Sequence, residues 1–500
     1  MSSLDPSDPA QTTAAARDSG DSEAADALRE PAPAAAPLMV APTEPVVWSV
    51  RPMTRVAPRV AAALIVVIAF GAGIGVGRVT APAGPAASAA TAASPGPSQA
   101  ASSGGAPSST APPGTSAAPG PSGTSPLAGL PSNGALLGSA TAKVQMTYWA
   151  DFQCPFCSRF AHDVLPPLAP LIADGTVSVR HRDFVFLGPE SVDAAIAVRC
   201  GGEQGKFWPM HDAVYAAQQG ENTGSFAVPR LQQVAATVGL DASSFAGCLV
   251  RHDVLVAVLT DTSSAVRAGV SSTPTVDLPA QRLVGAMDAA RVLAAIQSAA
   301  ASGATPTPAP SVSLSGDPWA GTPTSGLTAG TDAARVTVEL WTDYQAAGTP
   351  DVVKTLERAL RTRAASGKVR VVLRDLATMG DESALAASFV RCAAQDGEQG
   401  VWLTHSILGG ASRGAGTGLF TSRALLWLGA KLGYDVNALD ACMAAPATAA
   451  AITADTAAGT ALGLRTAPAV VVRVGGKVLA RFDGPTIDAA KVLAAVDKAR

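Results

Sequence analysis

Apolar residues are distributed along this chain in three different ways, and the changes divide it. From Val60 to Val76 it reads VAAALIVVIAFGAGIGV, with no charge between Arg59 and Arg78. At about 1.5 Å per residue such a run lies near the short end of a bilayer span. Residues 59–78 are therefore expected to form one transmembrane helix, touching the lipid bilayer through residues 60–77. Residues 1–58, rich in Ala, Pro, Asp and Glu, have neither helical nor strand period and are expected to be a disordered tail. Residues 79–142 are Ala, Pro, Ser, Gly and Thr almost throughout, a flexible linker whose ends would lie about 45 Å apart as a coil. Arg51, Arg55 and Arg59 precede the apolar run, and no charge separates Arg78 from Lys143. That asymmetry places the N-terminus in the cytoplasm and the remainder outside the cell membrane. A cleaved signal peptide would begin much earlier than Val60, and a buried core helix would have nothing periodic beside it to pack on.

Period returns at Lys143, and it returns twice. Lys143-VQMTYWADFQ aligns with Arg335-VTVELWTDYQ at an offset of 192, so that Trp149, Asp151 and Gln153 recur as Trp341, Asp343 and Gln345. Val177-SVRHRDF recurs as Val369-RVVLRDL, and Cys200 recurs as Cys392. After a two-residue insertion, Trp208, His211, Cys248 and Pro274 reappear as Trp402, His405, Cys442 and Pro468. This is a tandem duplication, with copies at 143–300 and 335–500 and a second linker over 301–334. Each copy predicts a strand (Val144–Trp149), a turn and helix, a second strand (Val177–Arg182), an Ala-rich helical region over about 191–270, a Thr-Pro-Thr turn, a short strand and a final helix (Asp288–Ala300). Strands separated by helices predict an α/β layer fold.

Composition narrows the possible chemistry. The 500 residues include 48 Gly and 38 Pro but only 15% charged side chains, and alanine inflates the 48% hydrophobic fraction, so much of the chain has little core to offer. A formal net charge of −3 argues against nucleic-acid binding. Six cysteines suit three bridges in an oxidising compartment.

Two of those cysteines follow the first strand directly, in Phe152-Gln153-Cys154-Pro155-Phe156-Cys157. At a helix N-terminus the free backbone N–H groups and the dipole favour a thiolate, so Cys154 is the candidate nucleophile and Cys157 its resolving partner. Pro155 suits the first turn, where its missing N–H costs nothing. A CxxC can also be half a zinc site, but His162 is the nearest further ligand and there is no second CxxC. A purely structural bridge is the other alternative. The motif, the stretch Arg199-CGGEQGKFWPM-His211 and Ser272-Thr273-Pro274-Thr275 resemble the DsbA-like branch of the thioredoxin superfamily, over 143–300 well and over 335–500 more weakly. The resemblance implies two tandem thioredoxin-like domains with helical insertions, and a thiol–disulfide oxidoreductase acting on exported proteins; with the apolar run at 60–76 the expectation is a membrane-anchored enzyme, with no cofactor and no metal. It implies a cis Pro274 facing the cysteines and a substrate surface built by Thr273, Pro274, Pro155 and Phe156. Partners would be unfolded or thiol-containing exported proteins and a membrane redox partner that recycles the pair. Oxidation is expected ahead of reduction or isomerisation, and the alternative class is a tethered, non-enzymatic binding protein. Members of this branch with a histidine between the cysteines should hold a more acidic thiol than Phe156 permits.

The second copy reads Ala346-Ala347-Gly348-Thr349 where the first has its cysteines, so it should be silent in exchange and serve as a peptide-binding or dimer-forming module or a spacer. Cys200, Cys248, Cys392 and Cys442 persist in both copies, which singles out structural disulfides Cys200–Cys248 and Cys392–Cys442, each contributing roughly 4 kcal/mol. Asp151 could accept a proton from Cys157, yet Asp343 in the silent copy favours a cap or turn role. Phe152, Phe156 and Phe160 could line an apolar lip for clients, although core packing explains Phe160 equally well. His211 reads as a packing residue, and His162 and Glu190 as surface or loop residues.

Overall fold

The computed structural model describes residues 127–303 and 317–499. The expected tail 1–58, the expected helix 59–78 and most of the first linker lie outside the described residues. Among the described residues no single helix is long and apolar enough to cross a membrane; one bent pair, Ala242–Leu249 with His252–Arg267, passes by length and composition only. That pair buries Phe245, Cys248, Val258 and Leu259 in the first copy's core.

The apolar alternation of Val144, Met146 and Tyr148 makes strand β3 (Val144–Ala150) the centre of a sheet, with all three side chains buried. Strand β4 (Val177–Asp183) runs parallel to it, from Val144 opposite Val177 to Ala150 opposite Asp183. Strand β5 (Thr275–Leu278) lies antiparallel on the other side and turns into β6 (Gln281–Val284). A hairpin of β1 (Ser132–Asn133) and β2 (Leu136–Leu137) completes the order β1-β2-β4-β3-β5-β6. The second copy repeats this with β7 (Thr324–Ser325), β8 (Thr328–Ala329), β9 (Val336–Thr342), β10 (Val369–Asp375), β11 (Ala469–Val474) and β12 (Lys477–Asp483). Five helices fill residues 189–267 of the first copy, between β4 and β5. The helix Ala289–Ser302 closes it, capped by Asp288 accepting from Arg291 N–H at 2.8 Å.

The hairpins correct the linker boundaries. Residues 132–137 and 324–329 belong to the sheets rather than to the linkers 79–142 and 301–334, with β2 paired to β4 and β8 to β10. Two-residue strands carry too little alternation to announce themselves. The repeat did mark them, since Pro131, Gly134 and Gly138 recur as Pro323, Gly326 and Gly330. Gly330 sits at φ +99, where a Cβ would lie 2.4 Å from the Val369 carbonyl oxygen, so only glycine brings the hairpin onto the sheet. Trp319, also within the expected linker, is buried against Trp402.

Beneath each helical region Cys200 is bonded to Cys248 and Cys392 to Cys442. Arg199 bridges Asp183 (2.6 Å) and Asp261 (2.5 Å), and Arg391 bridges Asp375 and Asp455 in the same way. Both copies belong to one compact unit, and the helix Ser422–Lys431 of the second lies against His252–Arg267 of the first.

Candidate functional site

Strand β3 ends at Ala150, and the chain turns through Asp151, Phe152 and Gln153 into the helix Pro155–Arg159, with Cys154 as its extended N-cap and Pro155 in the first turn. The N–H groups of Cys157 and Ser158 both donate to the Cys154 carbonyl at 3.1 Å. The two sulfurs are free and buried, Cys154 being 5% exposed and Cys157 wholly enclosed. Their acidities are driven apart. A hydrogen bond from the Cys157 thiol, opposed by burial and aided by the Thr273 side chain and by the N–H groups of Cys157 and Phe156, lowers Cys154 to about 6. Burial first, and then competition with Cys154, push Cys157 well above its ordinary value.

The Thr273–Pro274 peptide is cis, and as a thiol Cys154 donates to the Thr273 carbonyl at 3.4 Å. The Thr273 hydroxyl is buried without another hydrogen-bond partner. Pro155 and Phe156 flank the sulfur, with Phe156 45% exposed and the Arg159 guanidinium 4.6 Å from its ring centre. Phe152 and Phe160 do not join it in a lip: both are core residues, Phe160 stacked on Tyr148 at 4.5 Å.

Asp151 is completely buried, and its carboxylate is engaged away from the sulfurs. One oxygen accepts from Gln153 N–H at 2.8 Å, the other from Phe186 and Leu187 N–H at 2.9 and 3.2 Å. Burial raises it to about 6 against these bonds. Asp343 takes the same partners in the second copy, accepting from Gln345, Thr378 and Met379 N–H. A carboxylate that pins a turn identically with and without cysteines is a structural acid. Glu190 holds the N–H groups of Gly224 and Phe226 as Glu382 holds those of Gly418 and Phe420. His211 is buried, its pKa lowered by desolvation, and bonded to Asp212. His162 is exposed and bonded to the Ser158 carbonyl, and no group of three or more metal-binding side chains occurs among the described residues.

Several fastening residues escaped the sequence reading. Gln153 donates to Ser191 at 2.9 Å and accepts from Asn222 N–H; Gln218 donates to the Phe152 carbonyl at 2.6 Å. Gly188 lets Asn222 approach, since a Cβ there would lie 2.0 Å from its Oδ1. Tyr148 donates to the Cys157 carbonyl at 3.2 Å. The recurrence of Gln153 as Gln345 was the available clue; Gln218 and Asn222 reach the turn only through the fold.

In the second copy Thr349 stands where Cys157 does, and its hydroxyl donates to the Asp343 carbonyl at 2.8 Å. Ala467–Pro468 is also cis. Yet Gly348 packs so closely that a Cβ would lie 2.0 Å from the Pro485 carbonyl oxygen and 3.0 Å from Pro468. Here the turn is covered by its own chain, which argues against a peptide-binding role at this point of the second copy.

Comparison with known proteins adds the following. A family model described as Thioredoxin matches residues 132–298 and again 322–489. Among curated proteins, the chain is similar to the Na(+)/H(+) antiporter NhaA 1 of Salinispora arenicola, 30% identical over 165 residues, and to the Na(+)/H(+) antiporter NhaA of Herminiimonas arsenicoxydans, 31% identical over 160 residues. Each match covers 32% of this chain and 24% of the relative, so the chain spans about a quarter of the length of these curated relatives. Among solved structures it is similar to alpha-DsbA1 of Wolbachia pipientis, with 22% identity, a TM-score of 0.32 and coverage of 36% of this chain and 98% of that one. Oxidised BdbD of Bacillus subtilis gives 21% identity, a TM-score of 0.32 and coverage of 35% and 97%.

Proposed function

Because the chain belongs to the thioredoxin family, matched in both folded halves, we propose that it is a membrane-anchored, extracytoplasmic thiol–disulfide oxidoreductase that forms disulfides in exported proteins through Cys154 and Cys157. The observation that carries this is the opposed acidity of two adjacent sulfurs, Cys154 lowered to about 6 and Cys157 raised. A thiol stabilised as thiolate is a good leaving group, and it makes the disulfide of the pair more oxidising.

In the oxidising direction a client thiolate attacks Cys154 Sγ in the Cys154–Cys157 disulfide. That S–S bond breaks, and Cys157 leaves with the electron pair and takes up a proton. A second client thiolate then attacks the client sulfur of the mixed disulfide and expels Cys154 as a thiolate. The client dithiol is oxidised and the pair reduced; one client proton ends on Cys157 and the other in solvent. A membrane redox partner must withdraw the two electrons again. Pro155, Phe156, Thr273 and Pro274 surround the mixed disulfide, the exposed ring of Phe156 offering apolar contact to an unfolded client. The match to the antiporters spans one copy's length, so ion transport is no part of this reading.

With Cys157→Ala, mixed disulfides through Cys154 should accumulate on exported proteins, and an impermeant thiol reagent should label Cys154 on intact cells. Absence of trapped mixed disulfides together with ordinary alkylation kinetics at Cys154 would refute the exchange activity. Labelling only after lysis would refute the location.

A further inference from the structure

The segment Val185–Leu187 supplies the N–H groups that hold Asp151, and it is gripped from the second copy. Trp427 Nε1 donates to the Val185 carbonyl at 2.7 Å, and Lys431 Nζ donates to the Phe186 carbonyl at 3.4 Å. The Phe186 carbonyl and the Leu187 N–H form one peptide group, so Lys431 and the Asp151 carboxylate polarise it from opposite ends. Both residues project from the helix Ser422–Lys431, with the ammonium 4.8 Å from the Trp427 ring centre. Arg423, one end of the same helix, pairs with Asp193 at 2.5 Å. Around them Ser263 donates to the Tyr434 carbonyl, and His252 meets Asp440 at 2.8 Å.

The docking is one-sided. The counterpart of this helix in the first copy, Val228–Thr237, carries an exposed Val228. The counterpart of Leu187 in the second copy, Met379, is 40% exposed. One copy therefore braces the other without being braced in return.

Resting on the exchange activity proposed above, we infer that the second copy is an intramolecular brace for the first: Trp427 and Lys431 fix the Val185–Leu187 segment, which through Asp151 fixes the turn carrying Cys154, and Lys431 is thereby a positioning residue for exchange. Burial disfavours the charge on Lys431 and Asp151 alike, the Asp151 carboxylate favours the ammonium, and Coulomb attraction between two opposite charges acts on both. Losing the ammonium would leave Asp151 more readily protonated and the turn less firmly pinned. The other titratable groups facing this turn are Cys157, Tyr148, Tyr215 from the helix Phe207–Ala216, and His181 and His211 against Phe152.

The test uses the full chain, with the pH dependence of Cys154 alkylation measured for the unaltered protein, Lys431→Met, Lys431→Arg and Trp427→Phe. Lys431→Met is expected to raise the midpoint by about half a pH unit, about a threefold loss of thiolate below the midpoint. Lys431→Arg should restore it, and Trp427→Phe should move it in the same direction by less. A profile unchanged in both Lys431→Met and Trp427→Phe, with mixed-disulfide trapping intact, overturns the brace and leaves the exchange reading standing. If Lys431→Met fails to fold, Trp427→Phe alone decides by the same criterion. Failure of the unaltered protein to trap clients removes the exchange reading, and the brace with it.

Discussion

Residue 156 of the first copy and residue 348 of the second occupy the same place in the repeat, yet one is an exposed phenylalanine and the other a buried glycine under Pro485. Around them the scaffold is conserved between the copies to the level of single hydrogen bonds: the Asp151 and Asp343 pins, the Glu190 and Glu382 loop anchors, the arginine bridges, the disulfides and the cis prolines. The copies differ at the sulfurs, in the surface over them and in a buried polar cluster beneath. Thioredoxin-like architecture is thus present without the paired cysteines, and in the second copy the chain around Pro485 covers the corresponding turn. In place of Phe152 and Leu165, the second copy has Tyr344 and Glu357, both bonded to the buried His405 at 2.8 Å.

The comparison is tested hardest at the shared scaffold. Arg199→Met leaves the buried Asp183 without its arginine while Asp261 keeps Arg182, and Arg391→Met leaves Asp375 without its arginine while Asp455 keeps Arg374; each should cost its own copy about 3–5 kcal/mol in denaturant unfolding. A large loss in one copy only would show that the two bridges have diverged in role. At the divergent position a smaller effect is expected, and in opposite senses. Gly348→Ala must displace Pro485 and should cost about 1–3 kcal/mol, with Cys154 reactivity preserved. Phe156→Ala should change stability by less than about 0.5 kcal/mol while reducing the yield of trapped clients. Equal stability losses at the two positions would contradict the difference in covering.

A further effect concerns acidity. Cys154 has a folded value of about 6, below its ordinary value of 9.0. A depressed acid stabilises the reduced fold fully above the ordinary value, and that contribution is lost as pH falls through the folded one. The advantage of the reduced over the oxidised protein in thermal unfolding should therefore shrink from about pH 9 toward about pH 5. Phe156→His adds a donor beside the sulfur and should move the thiolate titration, followed by ultraviolet absorbance, below about 6. An unmoved titration would mean that the Cys157 thiol and the backbone N–H groups already saturate Cys154.

The Cys154–Cys157 motif, the central strands and the duplication were legible because each depends on neighbours in the chain: alternating apolar residues, a proline after an N-cap, and the same spacing met twice. The hairpins at 132–137 and 324–329 were marked only by recurring Pro and Gly residues, since two-residue strands have no period and take their shape from the sheet edge they join. Phe152 and Phe160 carried the right chemistry for a client surface or for a core, and only the packing of the turn and the helix against Tyr148, His181 and Tyr215 decided for the core. The sequence already favoured a turn role for Asp151 over proton transfer, because Asp343 recurs without cysteines, but only the fold showed the Phe186 and Leu187 amides that claim its oxygen. The grip of Trp427 and Lys431 on residues more than two hundred positions earlier depends on how two domains pack. Local order follows from short-range sterics and hydrogen bonding that a sequence pattern encodes. A contact across the interface is fixed only when two complete surfaces meet, and no stretch of chain carries that information alone.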